Sequence, residues 1–346
     1  MHDLHEGVLK YVMCDILYFF IREREYFNID TLIRRVENFD YGPVDCGNRP
    51  PSHKITLERI TSGNLKMSAS EMMCFTRFFG EIVGDLVPED DNVWELYLLL
   101  REILDIILSP KFVRGTEVYL QGLIEAFLSL YIDLFHRQLT IKFHLLLHYP
   151  FLMSLLGPLI LLWCMRDEAR HRESRIIAHS TNSRVRLELT LMIKHQLKFC
   201  TRLLSKRGLY IDFACGRGQE LSLNQLPQLN FVENILPVMG DDLLLSVQWA
   251  KMYGTIYKIG MVLIVGKIDS FPLFGRIGAI LVSDSSDIIF VVNLFVTQYF
   301  NRHYHAFQLL DGDAWHAVCH ANLDYPFPLC ARESTSAGTL ISVKYL

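Results

Sequence analysis

The sequence of 346 residues has eight cysteines and no C-x-x-C pair. Cys14, Cys46, Cys74, Cys164, Cys200, Cys215, Cys319 and Cys330 are widely and irregularly spaced. That spacing argues against zinc ribbons and against the disulfide framework of small secreted domains. A reducing compartment, nuclear or cytoplasmic, is expected. Long hydrophobic runs are lacking too. The longest, residues 151–165 (FLMSLLGPLILLWCM), is broken by Gly157 and Pro158 and falls short of the roughly 20 residues a membrane span needs. A buried helix pair with a break at the glycine and proline is expected, and no membrane partner. The N-terminal MHDLHEG is charged from its third residue, unlike a secretory signal. There is no G-x-S-x-G and no P-loop lysine motif. The lone G-x-G at Gly216–Gly218 has no third glycine and no strand-to-helix context, so it is a poor phosphate loop. Net charge is also small, −4 from 34 Lys+Arg and 38 Asp+Glu, with no global signature of a nucleic-acid partner.

What is present is apolar: 51% of residues are hydrophobic and 21% charged, ample for packed cores. Residues 1–205 read as helical. Val8–Phe20 carries an apolar stripe at helical spacing. Ser68 with Glu71 forms the signature of a capping box opening a helix through Met72, Phe75 and Phe79. Acids at 89–91 precede a helix over Val93–Leu108, with apolar residues every three or four positions. Another helix is expected over Glu117–Phe135. Residues 27–67, rich in Gly and Pro, look like a long surface excursion.

Residues 206–242 are expected to be a linker, and residues 243–346 a β domain. Short apolar segments recur at 257–265, 275–282, 288–297, 305–310, 314–319 and 339–345. Turn signals separate them, among them Asp311-Gly312-Asp313. Trp249–Met261 resembles the first strand of small SH3-like or BAH-like barrels, with Phe274–Ile280 next. The expected fold class is therefore α+β: a mostly helical N-terminal region followed by a small C-terminal β-barrel. Such barrels bind peptides, chromatin proteins or nucleic acid, so a protein partner through this domain is one reading.

Several stretches carry a more specific resemblance: MHDLHEGV at the start, LKMSASEM at 65–72, VPEDDNVWELYLLLREILDIILSP at 87–110, KFHLLLHYP at 142–150 and GPLILLWCMRDEARH at 157–171. In this order they resemble the CACTA-like DDE transposases, whose catalytic domain is ribonuclease-H-like. The resemblance covers residues 1 to about 205. It implies two Mg²⁺ ions held by three separated acids. The second acid sits in a pattern like Asp-x-Met-His-Asp-Leu-x-Glu-Gly. Here the match starts at Met1-His2-Asp3-Leu4, so that acid would lie two places before Met1, and the first acid is absent as well. The third acid corresponds to Glu168 in Arg166-Asp167-Glu168-Ala169-Arg170-His171. Asp167 stands where an aromatic is usual, and Arg170 where Lys is usual. The resemblance thus implies the helical insertion of a truncated transposase core, with His2 as a motif residue and Glu168 as a vestigial third acid. Two-metal phosphoryl transfer needs several carboxylates around ions about 4 Å apart. One glutamate cannot hold them, so the chain is expected to be no enzyme and to hold no cofactor.

Glu168 also has a plainer reading, as the partner of Arg172 at i,i+4 on a solvated helix. His144 and His148 share zinc-ligand spacing but lack the glutamate of a metalloprotease motif, so helix-face histidines are expected. His303, His305, His316 and His320 lie on expected strands, and no metal site is assigned to them. The charge distribution is less even than the total suggests. Residues 166–207 hold eleven Lys/Arg against four acids, an excess of seven, so the remainder carries −11. Arg166, Arg170, Arg172, Arg175, Arg184, Arg186, Lys194 and Lys198 are therefore candidate DNA contacts, since phosphate is drawn to such a face by counterion release. Two functions compete: a catalytically inactive transposase-derived protein with residual DNA binding, and a non-enzymatic protein- or chromatin-interaction module acting through the β domain.

Overall fold

The computed structural model describes residues 3–163, 165–182, 185–205, 213–221, 244–269, 271–283, 286–334 and 336–343, with the side chains of 165–170 and 221 left aside. Its class is α+β, helices first and sheets after. Helix α1 (Leu9–Tyr18) is flanked by π turns at Leu4–Val8 and Phe19–Glu23. There follow α2 (Ile29–Asn38), the short α3 (Gly42–Asp45) and α4 (Leu57–Thr61), α5 (Ala69–Val83), α6 (Asn92–Leu108), α7 (Thr116–Phe135), α8 (Ile141–Leu146) and α9 (Tyr149–Leu156). Two further helices, α10 (Met165–His179) and α11 (Leu187–Leu204), complete the helical part.

Local chemistry sets most helix starts. Asn28 accepts from the Thr31 N–H at 2.8 Å to cap α2. The capping box of α5 is complete, with Ser68 and Glu71 satisfying each other's backbone N–H. Asp91 caps α6 by accepting from the N–H groups of Val93 and Trp94. The apolar stripes then meet: Phe20, Phe75, Phe78, Phe79, Trp94, Tyr97 and Phe127 are fully buried in one core. Among the described residues, α7 is the one helix long and apolar enough to cross a membrane. Its stripe Leu120, Leu123, Ile124, Phe127, Leu128 and Tyr131 is instead buried in that core.

The strands are β1 (Phe213–Cys215), β2 (Gln219–Leu221), β3 (Leu244–Val247), β4 (Trp249–Met252), β5 (Thr255–Lys258), β6 (Val262–Ile268), β7 (Phe271–Ser283), β8 (Ile288–Asn301), β9 (Ala306–Cys319), β10 (Tyr325–Leu329), β11 (Arg332–Ser334) and β12 (Gly338–Ile341). All described pairings are antiparallel, and β7, β8 and β9 form the central meander. Tyr253 and Gly254, both at positive φ, turn β4 into β5, the two-residue hairpin that such backbones favour.

Several expectations change. The described strands form a nine-stranded sheet and a three-stranded sheet, β1-β4-β5, and do not close into a barrel. Asp311-Gly312-Asp313 is no turn. It lies inside β9, at a register shift opposite Leu294, where a Cβ on Gly312 would collide with the Leu294 carbonyl oxygen. The glycine is there for close approach of two strands. Residues 27–67 are packed, since Leu32, Val36, Tyr41, Ile55, Ile60 and Leu65 are buried. The chain does break at Gly157, which has φ 85°, and the flanking run is buried on one side only: Met153 and Leu159 enter the core, whereas Phe151, Leu155 and Leu161 are exposed. The described part of 206–242 contributes β1 and β2, and the rest of that stretch lies outside the described residues.

Helices and sheet meet along a buried polar seam. The turn between β8 and β9 docks on α5 and α6. There His303 contacts the Gly84 carbonyl at 2.7 Å and its own carbonyl accepts from the Trp94 indole. Gly80 lets the Tyr304 carbonyl come close, because a Cβ would lie 2.8 Å from that oxygen. Arg332 donates to the Asp40 carbonyl at 2.6 Å and stacks 4.2 Å from the Phe78 ring centre. Arg77 bridges Asp45 and the Ser342 carbonyl at 2.9 and 2.8 Å.

Candidate nucleic-acid interface

Residues 3–6 converge with 142–149 and with Trp163, which lie 136 or more residues further along the chain. The Tyr149 hydroxyl donates to Asp3 at 2.6 Å, and Lys142 Nζ donates to the Glu6 carbonyl at 3.2 Å. The His5 ring stacks on Trp163, centres 5.1 Å apart and 9° from parallel. Gly7 makes room for the Lys142 stem, since any Cβ there would overlap it. Burial first, and then the Asp3 carboxylate, pushes the Tyr149 phenol far above its ordinary range, so it remains a donor. Met1 and His2 lie outside the described residues. Trp163 leads almost directly into α10, whose first two turns carry Arg166, Glu168 and Arg170 on the backbone; their side chains are outside the described set.

Helices α10 and α11 form an antiparallel hairpin. Lys198 pairs with Glu173 at 2.8 Å, Ser174 meets His195 at 3.1 Å, and Lys194 donates to Thr181 at 3.1 Å. The Lys198 hydrogen bond, then its charge, holds the Glu173 carboxyl below its usual value. No residue of α11 is buried. Lys194 and Lys198, expected as DNA contacts, are therefore turned toward α10 and already engaged. Arg172 and Arg175 are exposed on α10, and Arg186 is exposed beside α11. Helical spacing places Arg172, Arg175 and His179 away from Glu173 and Ser174, the residues that face α11. Arg184 lies outside the described residues.

The remaining sequence candidates resolve into structural roles. His144 and His148 are exposed, with ring nitrogens 3.2 Å apart and rings edge to face. His303 and His305 belong to the turn after β8 rather than to a strand face, and His320 meets the Tyr257 hydroxyl at 3.0 Å. Among the described residues no group of three or more His, Cys, Asp or Glu side chains could hold a metal ion. Gly216 approaches Trp249, with its N–H on the Trp249 carbonyl, which is strand packing rather than a phosphate loop.

Nothing in the residue spacing points to the seam's centre. Asp105 on α6 is hydrogen-bonded to His305 at 2.6 Å and lies 3.6 Å from Arg101, and all three are buried. Burial alone would raise the Asp105 carboxyl, but Arg101 and then His305 outweigh it and hold the acid low. A cavity of about 460 Å³ opens beside the pair, lined by Glu102, Lys111, Tyr119, Phe300 and Arg302 among others. Its polar groups are largely engaged already: Tyr119 with Glu102, Arg302 with Glu95 and His305 with Asp105. A period-based reading could have found Arg101 and Asp105 only as charged residues on the apolar face of α6.

No family model, no curated protein and no solved structure matches this chain.

Proposed function

We propose that this is a DDE-transposase-derived protein that binds DNA through the cationic face of the α10–α11 hairpin and does not itself transfer strands. The observation that carries the reading is the solvent-facing hairpin with Arg172, Arg175 and Arg186 exposed, inside the one segment of strong positive excess. The convergence of Asp3, Tyr149 and Trp163 next to the start of α10 supports the transposase kinship, because those are the stretches that carry the resemblance. Two-metal catalysis requires several acids, and the resemblance aligns only Glu168 with one of them.

The test is a salt titration of binding to a duplex of about 30 base pairs. Arg172→Glu, Arg175→Glu and Arg186→Glu together should weaken binding at least about tenfold and reduce the slope of log K against log salt by roughly 2–3. No binding at low salt, or an unchanged slope, overturns the proposal. Metal-dependent strand cleavage by the chain alone overturns its second half.

A second reading has one specific observation in its favour. On the sheet, Val296 and Leu310 are cross-strand partners, and both are exposed, as is Tyr299. The C-terminal strands would then act as a protein- or chromatin-interaction module. In that case peptide or chromatin binding survives the arginine substitutions and is lost on Leu310→Glu.

A further inference from the structure

The hairpin has a second face that DNA binding does not use. Along α11 the side turned away from α10 carries Leu189, Met192, Ile193, Leu197, Leu203 and Leu204, with Gln196 and Cys200 between them. Met192, Leu197 and Leu204 are 66%, 61% and 84% exposed. The face contains no charged residue, because the helix's lysines at 194 and 198 point to α10. An amphipathic helix with its apolar stripe in water is incomplete.

We infer that this face is the contact with a second copy of the chain, α11 against α11 about a two-fold axis. Three features single out a copy of itself as the occupant. A two-fold contact brings each residue's surroundings against their own image, so it requires a face without like charges, and this one has none. Gln196, the polar residue nearest the middle of the stripe, carries an amide that can both donate to and accept from its own image. The six apolar side chains of the stripe are 47–84% exposed, a contiguous apolar surface of the kind that a stable interface, at about 800 Å² per partner, takes out of water. The pairing goes beyond DNA binding and does not depend on it. It would set two α10 helices on the outside of a four-helix arrangement, with Arg172 and Arg175 of both copies facing outward.

The test is sedimentation equilibrium of the full chain, with helicity followed by circular dichroism. A dimer is expected at micromolar concentration. Ile193→Glu and Leu197→Glu should each weaken it by at least about 50-fold. Helix content should hold, because Ile193 and Leu197 are exposed in the single chain. Phe151→Glu, on the exposed apolar side of α9, should leave the dimer intact, as should Arg172→Glu with Arg175→Glu. A wild-type chain that stays monomeric, or a dimer that survives the α11 substitutions and is lost with Phe151→Glu, overturns the inference. Loss of DNA affinity in the arginine variant with the dimer retained separates this result from the DNA reading.

Discussion

Asp105→Asn is the sharpest probe of how the two halves of the chain are joined. The substitution keeps the volume and removes one charge. Arg101, 2% exposed, then loses the carboxylate 3.6 Å from its Nη2. Neither its Nε nor its Nη2 has a hydrogen-bond partner among the described residues. At an effective dielectric constant near 20 the pair interaction is about 4–5 kcal/mol. Relief of the acid's own desolvation offsets part of that, and the loss of the charged partner of His305 adds to it. The expected net cost is about 3 kcal/mol, at the low end for breaking a buried pair. In a thermal melt that is a fall of roughly 6–12 °C. Because the pair pins the β8–β9 turn to α6, the near- and far-ultraviolet transitions should also separate. Arg101→Met added to Asp105→Asn removes the stranded cation and should recover at least half of the loss. The pH dependence has a definite sign. The folded-state carboxyl is held low, so its contribution is present above the ordinary aspartate value of about 3.9 and is lost as pH falls through the depressed folded value. The asparagine variant should lack that acid limb. A single variant within about 1 kcal/mol of wild type, or a double variant no more stable than the single, would refute the account of Arg101 as a buried cation that depends on this acid.

Two further outcomes follow from local geometry. Gly312→Ala places a Cβ against the Leu294 carbonyl in the middle of the central meander, and backbone rather than a flexible side chain must move. Denaturant unfolding should register a loss of about 1–3 kcal/mol, and a change under about 0.5 kcal/mol would contradict the close approach of β8 and β9. Burial pushes the Cys14 thiol up to about 12, while Cys46 and Cys200 are exposed. Mass-mapped alkylation near pH 8 should therefore label Cys46 and Cys200 in the native protein and reach Cys14 only on unfolding.

The sequence by itself determined what depends on residues within a turn or two of one another. Ser68 and Glu71 close a capping box because both partners lie within one helical turn, and the period of α6 and α7 is written in their own apolar residues. The break at Gly157 was equally legible, since the glycine there takes a left-handed φ. Composition also localised the positive excess to 166–207. Tertiary structure alone decided which exposed charges find a partner. Lys194 and Lys198 look like Arg172 and Arg175 in one dimension, yet packing of α10 on α11 ties the two lysines to Thr181 and Glu173, and the arginines lie on the other side of α10. It also turned Asp311-Gly312-Asp313 from a turn signal into strand, because a neighbouring carbonyl needs the space. The seam was illegible for the same reason: Asp105 and His305 are 200 residues apart, and only folding converts an acid on an apolar helix face into the buried partner of a distant histidine.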